Sequence, residues 1–180
     1  MGMTKKSNLL LVIIIMLFMG CTKFDVIITN PQIQEKLDSK FPITKTYLLF
    51  FEITYKNARI ILQNGSDKVR IGLDVTLNIP INENPELLSG GVEIISDIDF
   101  NSDAGQLFLI DCQIDKLSLK GIPPTSTDKV NDILNITVKE YLNNFPIYTL
   151  SAKDIKTTAV TLLIKDVKIR DGVLVVTLGV

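Results

Sequence analysis

The segment KVRIGLDVTLNI (68–79) alternates apolar and polar residues without a break. Side chains on a β-strand point to opposite faces in turn, so this pattern predicts a long strand with one buried face and one wet face. The wet face would carry the polar residues Arg70, Asp74, Thr76 and Asn78. Such a strand constrains the fold strongly, because a second layer must cover its apolar face.

Several other segments are predicted to be strands, with antiparallel hairpins between them. They are FDVIIT (24–29), one extended stretch through 47–62, VEIISDIDF (92–100), QLFLIDCQIDKLSLKG (106–121), IYTL (147–150) and a closing hairpin that turns at Arg170-Asp171-Gly172. Residues 80–91, PINENPELLSGG, are predicted to form a loop. The apolar parity switches after Asn57 and near Lys116, which predicts two β-bulges. Before the second bulge, Phe108, Ile110, Cys112 and Ile114 would share a face.

Three helices are predicted between these strands. The first begins at Thr29, which forms a capping-box pattern with Gln32, and it ends at Pro42. The second follows residues 125–128 and carries a long apolar stripe to Phe145. The third would run from Ser151 through about residue 163. The predicted fold class is therefore α+β, with helices packed on the apolar side of an antiparallel sheet.

The N-terminal segment has the layout of a secretory leader. Two lysines precede the apolar run LLLVIIIMLFM (9–19), and Gly20-Cys21 follow it. The run is shorter than the ~20 apolar residues that a membrane-spanning helix needs. Cys21 could be a buried thiol, half of a disulfide or a lipid attachment site. The leader layout favours lipid attachment, which would leave Cys112 without an intramolecular partner. The position of Cys112 on the apolar face of an alternating strand predicts that it is a core thiol.

Composition excludes several classes of function. The chain has no His, so Ser-His-Asp and Cys-His mechanisms are excluded, as are zinc sites that use His. Its net charge of −1 does not suit a nucleic-acid partner. No convergent polar constellation is visible, and the chain is predicted not to be an enzyme. No cofactor is predicted.

Two groups of acidic residues could be functional sites, one for a metal ion and one for acid–base catalysis, or could simply lie on solvated strand faces. Asp97, Asp99, Asn101 and Asp103 alternate as calcium ligands can, but they lack the Gly and Glu of an EF-hand loop. Asp111 and Asp115 could be a carboxylate pair in acid–base catalysis. The favoured reading of both patterns is a solvated strand face, and no metal site is predicted.

The order of several motifs resembles a known family. Gly20-Cys21 resembles the lipobox of bacterial lipoproteins, although Phe18 and Met19 depart from its usual residues. A strand and the helix pattern of Thr29, Gln32, Ile33 and Leu37 follow directly. Later come GQLFLIDCQIDKLSL (105–119), YLNNFPIYTL (141–150) and IKDVKIRDGVLVVTLG (164–179). Together they resemble the YceB-like lipoproteins, a family of unknown function whose fold is similar to TULIP-type lipid-binding domains.

The resemblance implies a curved antiparallel sheet wrapped around a long amphipathic helix, which here would be residues 126–145, with two further helices. It implies a leader over 1–20 and one domain over 21–180, with Cys21 acylated at the outer membrane and the domain facing the periplasm. A lipid, such as a fatty acid, or another apolar ligand would lie in a groove between helix and sheet. The implied groove-lining residues are Phe51, Tyr55, Leu73, Leu77, Phe108, Ile110, Leu134, Val138 and Tyr141.

An alternative function stays open at this point. The protein could be a non-enzymatic envelope lipoprotein that binds another protein and has a filled core. This alternative predicts no interior cavity of ligand size, whereas ligand pockets typically measure ~300–1,000 Å³.

Overall fold

The computed structural model describes residues 23–47, 51–81, 84–121, 127–150 and 162–179. Its elements are β1 (Lys23–Thr29), α1 (Asn30–Lys40), β2 (Ile43–Tyr47), β3 (Phe51–Ile61), β4 (Val69–Ile81), β5 (Asn84–Asn101), β6 (Gln106–Lys120), α2 (Thr127–Leu142), β7 (Pro146–Thr149), β8 (Leu163–Arg170) and β9 (Val173–Gly179). The leader, Cys21 and most of the third predicted helix, 151–161, lie outside the described residues. Within them, the fold is mostly β with two helices.

The strands form two antiparallel sheets. The larger sheet is curled and has the order β2-β3-β4-β5-β6-β7, and the smaller has the order β1-β9-β8. Hydrogen bonds from Gly65 N to Ile169 O (2.9 Å) and from Ile169 N to Ser66 O (2.8 Å) join the β3–β4 turn to β8. The prediction of antiparallel strands with packed helices is therefore confirmed, but the strands form two sheets where one was predicted. A sheet wrapped around the long helix α2, as the resemblance implied, is not confirmed.

Strand β4 shows the predicted division into two faces. Val69, Ile71, Leu73, Val75 and Leu77 are buried. On the wet face, Arg70 forms an ion pair with Asp115 of β6. Asp74 forms another with Arg59 of β3, with 3.0 Å between Arg59 Nη2 and Asp74 Oδ1. The alternation in this segment therefore separates a core face from an outer face that carries ion pairs between strands.

The segment 80–91 is not a loop, and that prediction is wrong. Strand β4 continues to Ile81, and β5 starts at Asn84, so the two form one long hairpin with Pro80 opposite Pro85. Further along β5, Gly90 lies in the pairing with β6, where a Cβ atom would come within 1.9 Å of the Ser118 carbonyl oxygen. Glycine permits this close approach of two backbones, and the sequence pattern alone resembles a turn.

The extended stretch predicted through 47–62 is also divided differently. Strand β2 pairs antiparallel with β3, and Tyr47 lies opposite Phe51, so the chain reverses between these residues. Strand β2 had no counterpart in the prediction because its sequence, ITKTY, carries little apolar alternation. The segment is a strand because it is hydrogen-bonded to β3, although its own residues do not show a strand pattern.

Both predicted bulges are confirmed, and a third changes the face of β6. The register shifts between Lys56 and Arg59, and Glu93 pairs with Lys116 while Ile94 pairs with Ile114. The additional bulge is at Asp111, whose φ is 50°. Because a bulge inserts one residue, Cys112 shares the buried face with Leu107 and Leu109.

The prediction that Phe108 and Ile110 share the face of Cys112 is therefore wrong. Both are half-buried and lie on the opposite side of β6 from Leu107 and Leu109. The core thiol at Cys112 is confirmed, since its side chain is fully buried.

Helix α1 has the predicted start. The side-chain oxygen of Gln32 accepts hydrogen bonds from Thr29 N at 2.8 Å and from Thr29 Oγ1 at 2.9 Å. Ile33 and Leu37 are fully buried. On its other side, Gln34 donates to Ala58 O and accepts from Ile60 N, which fastens the helix to the bulged strand β3.

Helix α2 closes the free edge of β6. The side-chain oxygen of Asn135 accepts from Ile114 N, and that of Asn143 accepts from Cys112 N, both at 3.0 Å. A strand edge with unpaired N–H groups invites pairing with another chain, and these two amides occupy it. The apolar stripe of the helix, with Leu134, Val138 and Leu142 buried, turns toward the sheet.

Candidate functional site

The site is a seam between helix α2 and strands β2–β4. It is lined by Phe41, Ile43, Tyr55, Leu73, Thr137, Val138, Tyr141 and Leu142. The lining residues reach the seam from two sides. Val138 and Leu142 lie on the apolar stripe of α2, which faces the sheet. Tyr55 and Leu73 lie on the buried faces of β3 and β4, which face the helix. The seam is therefore apolar on both sides.

The seam is nearly filled. Its volume is about 10 Å³. A cavity needs roughly 10–15 Å³ to hold a single water molecule, and ligand pockets are at least an order of magnitude larger. A ligand could enter here only if the helix moved away from the strands.

Among the described residues, one side-chain hydrogen bond crosses the seam. The hydroxyls of Tyr55 and Thr137 are hydrogen-bonded to each other, and Thr137 Oγ1 donates to Leu134 O at 3.0 Å. Because the threonine proton is used within the helix, the tyrosine hydroxyl is the donor across the seam. Burial raises the pKa of Tyr55 to about 12.

This raised pKa predicts an alkaline loss of stability. Well below pH 10, Tyr55 is neutral in both the folded and the unfolded chain. Between pH 10 and 12, the tyrosine of the unfolded chain ionises while that of the folded chain stays mostly neutral, so the unfolded chain becomes relatively more stable. The free energy of unfolding should fall by about 2–3 kcal/mol between pH 10 and 12 through this group. Urea unfolding across this range should show wild type losing this free energy relative to Tyr55→Phe, which has no hydroxyl to ionise. A constant difference would contradict the prediction.

The mouth of the seam is formed by Phe41, Ile43 and Tyr141, which are half-buried. The ammonium group of Lys45 lies 5.0 Å from the centre of the Tyr141 ring, within range of a cation–π interaction. Desolvation, with a smaller contribution from Glu140, raises the pKa of the Tyr141 hydroxyl. The mouth is thus an aromatic rim with one cation beside it.

The structure brings together four of the nine groove residues implied by the resemblance. Tyr55, Leu73, Val138 and Tyr141 line the seam. Leu77 and Leu134 are buried but do not line it, and Phe51 is half-buried. Phe108 and Ile110 lie on the opposite side of β6 from the buried face.

Sequence reasoning missed four of the lining residues, namely Phe41, Ile43, Thr137 and Leu142. Leu142 belongs to the predicted helical stripe and could have been included on that ground. Thr137 is a polar residue on that stripe, and this irregularity could have indicated a hydrogen bond across the interface. Phe41 continues the apolar stripe of the first predicted helix, at i+8 from Ile33, but that pattern did not place it beside the second helix. Ile43 gave no signal, because its position depends on strand β2.

A second depression, of about 320 Å³, lies on the outer face of the larger sheet. Its floor includes Gly72 and Gly91, which carry no side chains, and its rim includes Arg59, Glu93 and Lys116. Lys116 and Glu93 form an ion pair at 2.9 Å. The depression is therefore mixed in character, and the charged side chains at its rim are paired.

The acidic patterns form no metal site in the described part of the chain. Asp97 pairs with Lys68, and Asp115 pairs with Arg70. The side chain of Asn101 accepts from the backbone N–H groups of Asp103 and Ala104, which makes it a turn residue. Within the described ranges, no group of three or more His, Cys, Asp or Glu side chains could hold a metal ion.

Cys112 is enclosed as well as buried. Its thiol lies 3.4 Å from Ser96 Oγ, and burial raises its pKa above the ordinary thiol value. A protonated, enclosed thiol is a poor nucleophile, which suits a packing role.

Neither helix in the described chain is long and apolar enough to span a membrane.

Comparisons with known proteins give one extended match and two partial ones. The model of a protein family of unknown function, DUF1439, matches residues 28–173. Tip elongation aberrant protein 1 of Schizosaccharomyces pombe is 34% identical over 107 residues, covering 53% of this chain and 9% of that protein. A crystal structure of lipopolysaccharide binding protein aligns with a TM-score of 0.31 and 14% identity, over 86% of this chain and 40% of that one.

These matches differ in weight. The chain spans less than half of the length of either partial match, and a TM-score of 0.31 is below the range that indicates a shared fold. The family match, in contrast, runs from the end of β1 to the start of β9. The chain belongs to the DUF1439 family of proteins of unknown function, the family to which its motifs bear a resemblance.

Proposed function

We propose that this protein is a membrane-anchored lipoprotein that holds an acyl chain or another apolar ligand between helix α2 and strands β2–β4. The observation that carries the proposal is the seam itself, whose walls are apolar and whose rim is aromatic. Each methylene that leaves water contributes ~0.8 kcal/mol, so an acyl chain would be stabilised in such an environment.

Binding requires the seam to open, and the attachments of α2 favour opening on this side. Along β6 the helix is held by Asn135 and Asn143, which bond to backbone N–H groups. Toward β3, the hydrogen bond from Tyr55 to Thr137 is the polar contact that spans the seam. Breaking a neutral hydrogen bond of this kind costs about 0.5–1.5 kcal/mol, which the burial of a few methylenes would offset.

The anchoring part of the proposal rests on the sequence. The leader ends at Gly20-Cys21, and Thr22 follows where an Asp would favour retention at the inner membrane. We place the acylated domain at the outer membrane, facing the periplasm. A tri-acylated cysteine would hold it there stably, because two acyl chains already suffice.

Metabolic labelling with palmitate tests the anchor. The wild-type chain is expected to incorporate label and to sediment with membranes, and Cys21→Ala should lose the label completely. Cys112→Ala is the matched control, because this thiol is enclosed and should make no difference to labelling. Label retained in Cys21→Ala would contradict the lipoprotein assignment.

Uptake of a fluorescent fatty acid tests the ligand site. The chain from Thr22 onward contains every described element, and it should bind the probe saturably as the seam opens. Absence of saturable binding in a folded preparation would remove the proposed function.

A second candidate function is a non-enzymatic scaffold that binds another envelope protein. The volume of the seam favours it, because about 10 Å³ is a filled interior. Such a protein would take up no fatty acid and would copurify with a protein partner. Under either function we propose that the chain is not an enzyme.

A further inference from the structure

The smaller sheet exposes aliphatic side chains on its outer face. Val26, Ile28, Leu174 and Val176 point to the core, and the residues between them point outward. Ile27 is 61% exposed and lies opposite Val175 on this outer face. Leu163, at the start of β8, is 55% exposed and lies in the same row as Lys23.

The charges on this face are biased toward cations. Lys23, Lys168 and Arg170 lie on it with the carboxylates Asp25 and Asp166. Asp25 accepts a hydrogen bond from Thr177 at 2.6 Å, and Asp166 pairs with Lys168. The chain as a whole has a net charge of −1. The three cations and two carboxylates leave one net positive charge on this face, so it does not repel an anionic lipid surface.

The tether to Cys21 is short. Thr22 alone separates Cys21 from Lys23, the first residue of β1. Two residues span at most about 7 Å, so an anchor at Cys21 keeps the beginning of β1 against the headgroups. The row that contains Lys23 and Leu163 is then within reach of the lipid.

We propose that the outer face of β1-β9-β8 lies on the membrane surface, with Ile27 and Leu163 inserted among the headgroups. The proposal rests on the membrane anchoring proposed above. It fixes the orientation of the domain, because the smaller sheet becomes its membrane-facing side. The alternative occupant of this face is a second copy of the chain. The experiment below distinguishes that alternative from a membrane surface.

The test measures the depth of single fluorophores in membranes that contain the full-length chain. Ile27→Cys and Leu163→Cys carry the label on the proposed face. Leu87→Cys and Ile136→Cys are matched controls, because Leu87 (70%) and Ile136 (48%) are comparably exposed on β5 and α2. The parent chain, labelled in parallel, gives the background from Cys21 and Cys112.

Nitroxide-labelled phospholipids should quench Ile27→Cys and Leu163→Cys several-fold more strongly than both controls. Equal quenching at all four positions would overturn the proposal. Cross-links between copies at Ile27→Cys, without quenching, would assign the face to a second copy and would also overturn it. Palmitate incorporation in the same preparations tests the anchor separately. If the leader is not cleaved, its apolar run still tethers the chain to the membrane before Lys23. The quenching test therefore reports the orientation of the smaller sheet even where Cys21 is not acylated.

Discussion

Gly90→Ala is expected to lower the free energy of unfolding by about 3 kcal/mol or more, or to leave the chain unfolded. A Cβ atom at this position would lie 1.9 Å from the Ser118 carbonyl oxygen and 2.8 Å from the Leu119 Cα atom. Both obstacles are backbone atoms of β6, so they cannot move aside without breaking the pairing of β5 with β6. Urea unfolding followed by circular dichroism measures the loss.

Gly91→Ala is the matched control for this prediction. It lies next to Gly90 on the same strand, but a Cβ atom there meets only the Leu73 carbonyl oxygen, at 3.7 Å. This is an ordinary van der Waals distance, and alanine is less costly than glycine within a strand by roughly 0.5–1 kcal/mol. Gly91→Ala should therefore be neutral or slightly stabilising. Equal losses in both variants would contradict the close approach at Gly90.

Tyr141→Glu is expected to weaken fatty-acid uptake at least about tenfold, because a carboxylate at the rim must be desolvated when an apolar chain passes it. Tyr141 is half-buried at the mouth of the seam, so a charged replacement can remain partly hydrated and the fold should survive. Titration of the chain from Thr22 onward with a fluorescent fatty acid gives the affinity.

Ile136→Glu is the control on the same helix. Its side chain is exposed, and the seam lining does not include it. The variant adds the same charge to α2, so it should bind the fatty acid as wild type does. If both variants lose affinity equally, the effect is one of net charge, and the seam is not the binding site.

The sequence predicted those parts of the fold that depend on local pattern. The alternation of Val69, Ile71 and Leu73 defines a buried strand face, because the period of two follows from strand geometry. The capping pattern of Thr29 and Gln32 likewise fixes the start of α1. In both cases the information lies within a few residues of the structure that it determines.

Features that depend on distant residues were not predictable in this way. The left-handed backbone at Asp111 inserts a residue into β6 and reverses the faces of Phe108 and Ile110. Gly90 resembles a turn residue until the neighbouring strand is known. The rim of the seam likewise depends on the pairing of β2 with β3, which brings Ile43 near α2.

The central claim is that the seam between α2 and strands β2–β4 accommodates an apolar ligand. Native mass spectrometry of the full-length protein, released from cell membranes in a mild detergent, tests it most directly. The account predicts an additional mass that corresponds to a bound lipid, present in wild type and in Ile136→Glu and strongly reduced in Tyr141→Glu. A folded protein without any bound lipid mass, in all three forms, would contradict it.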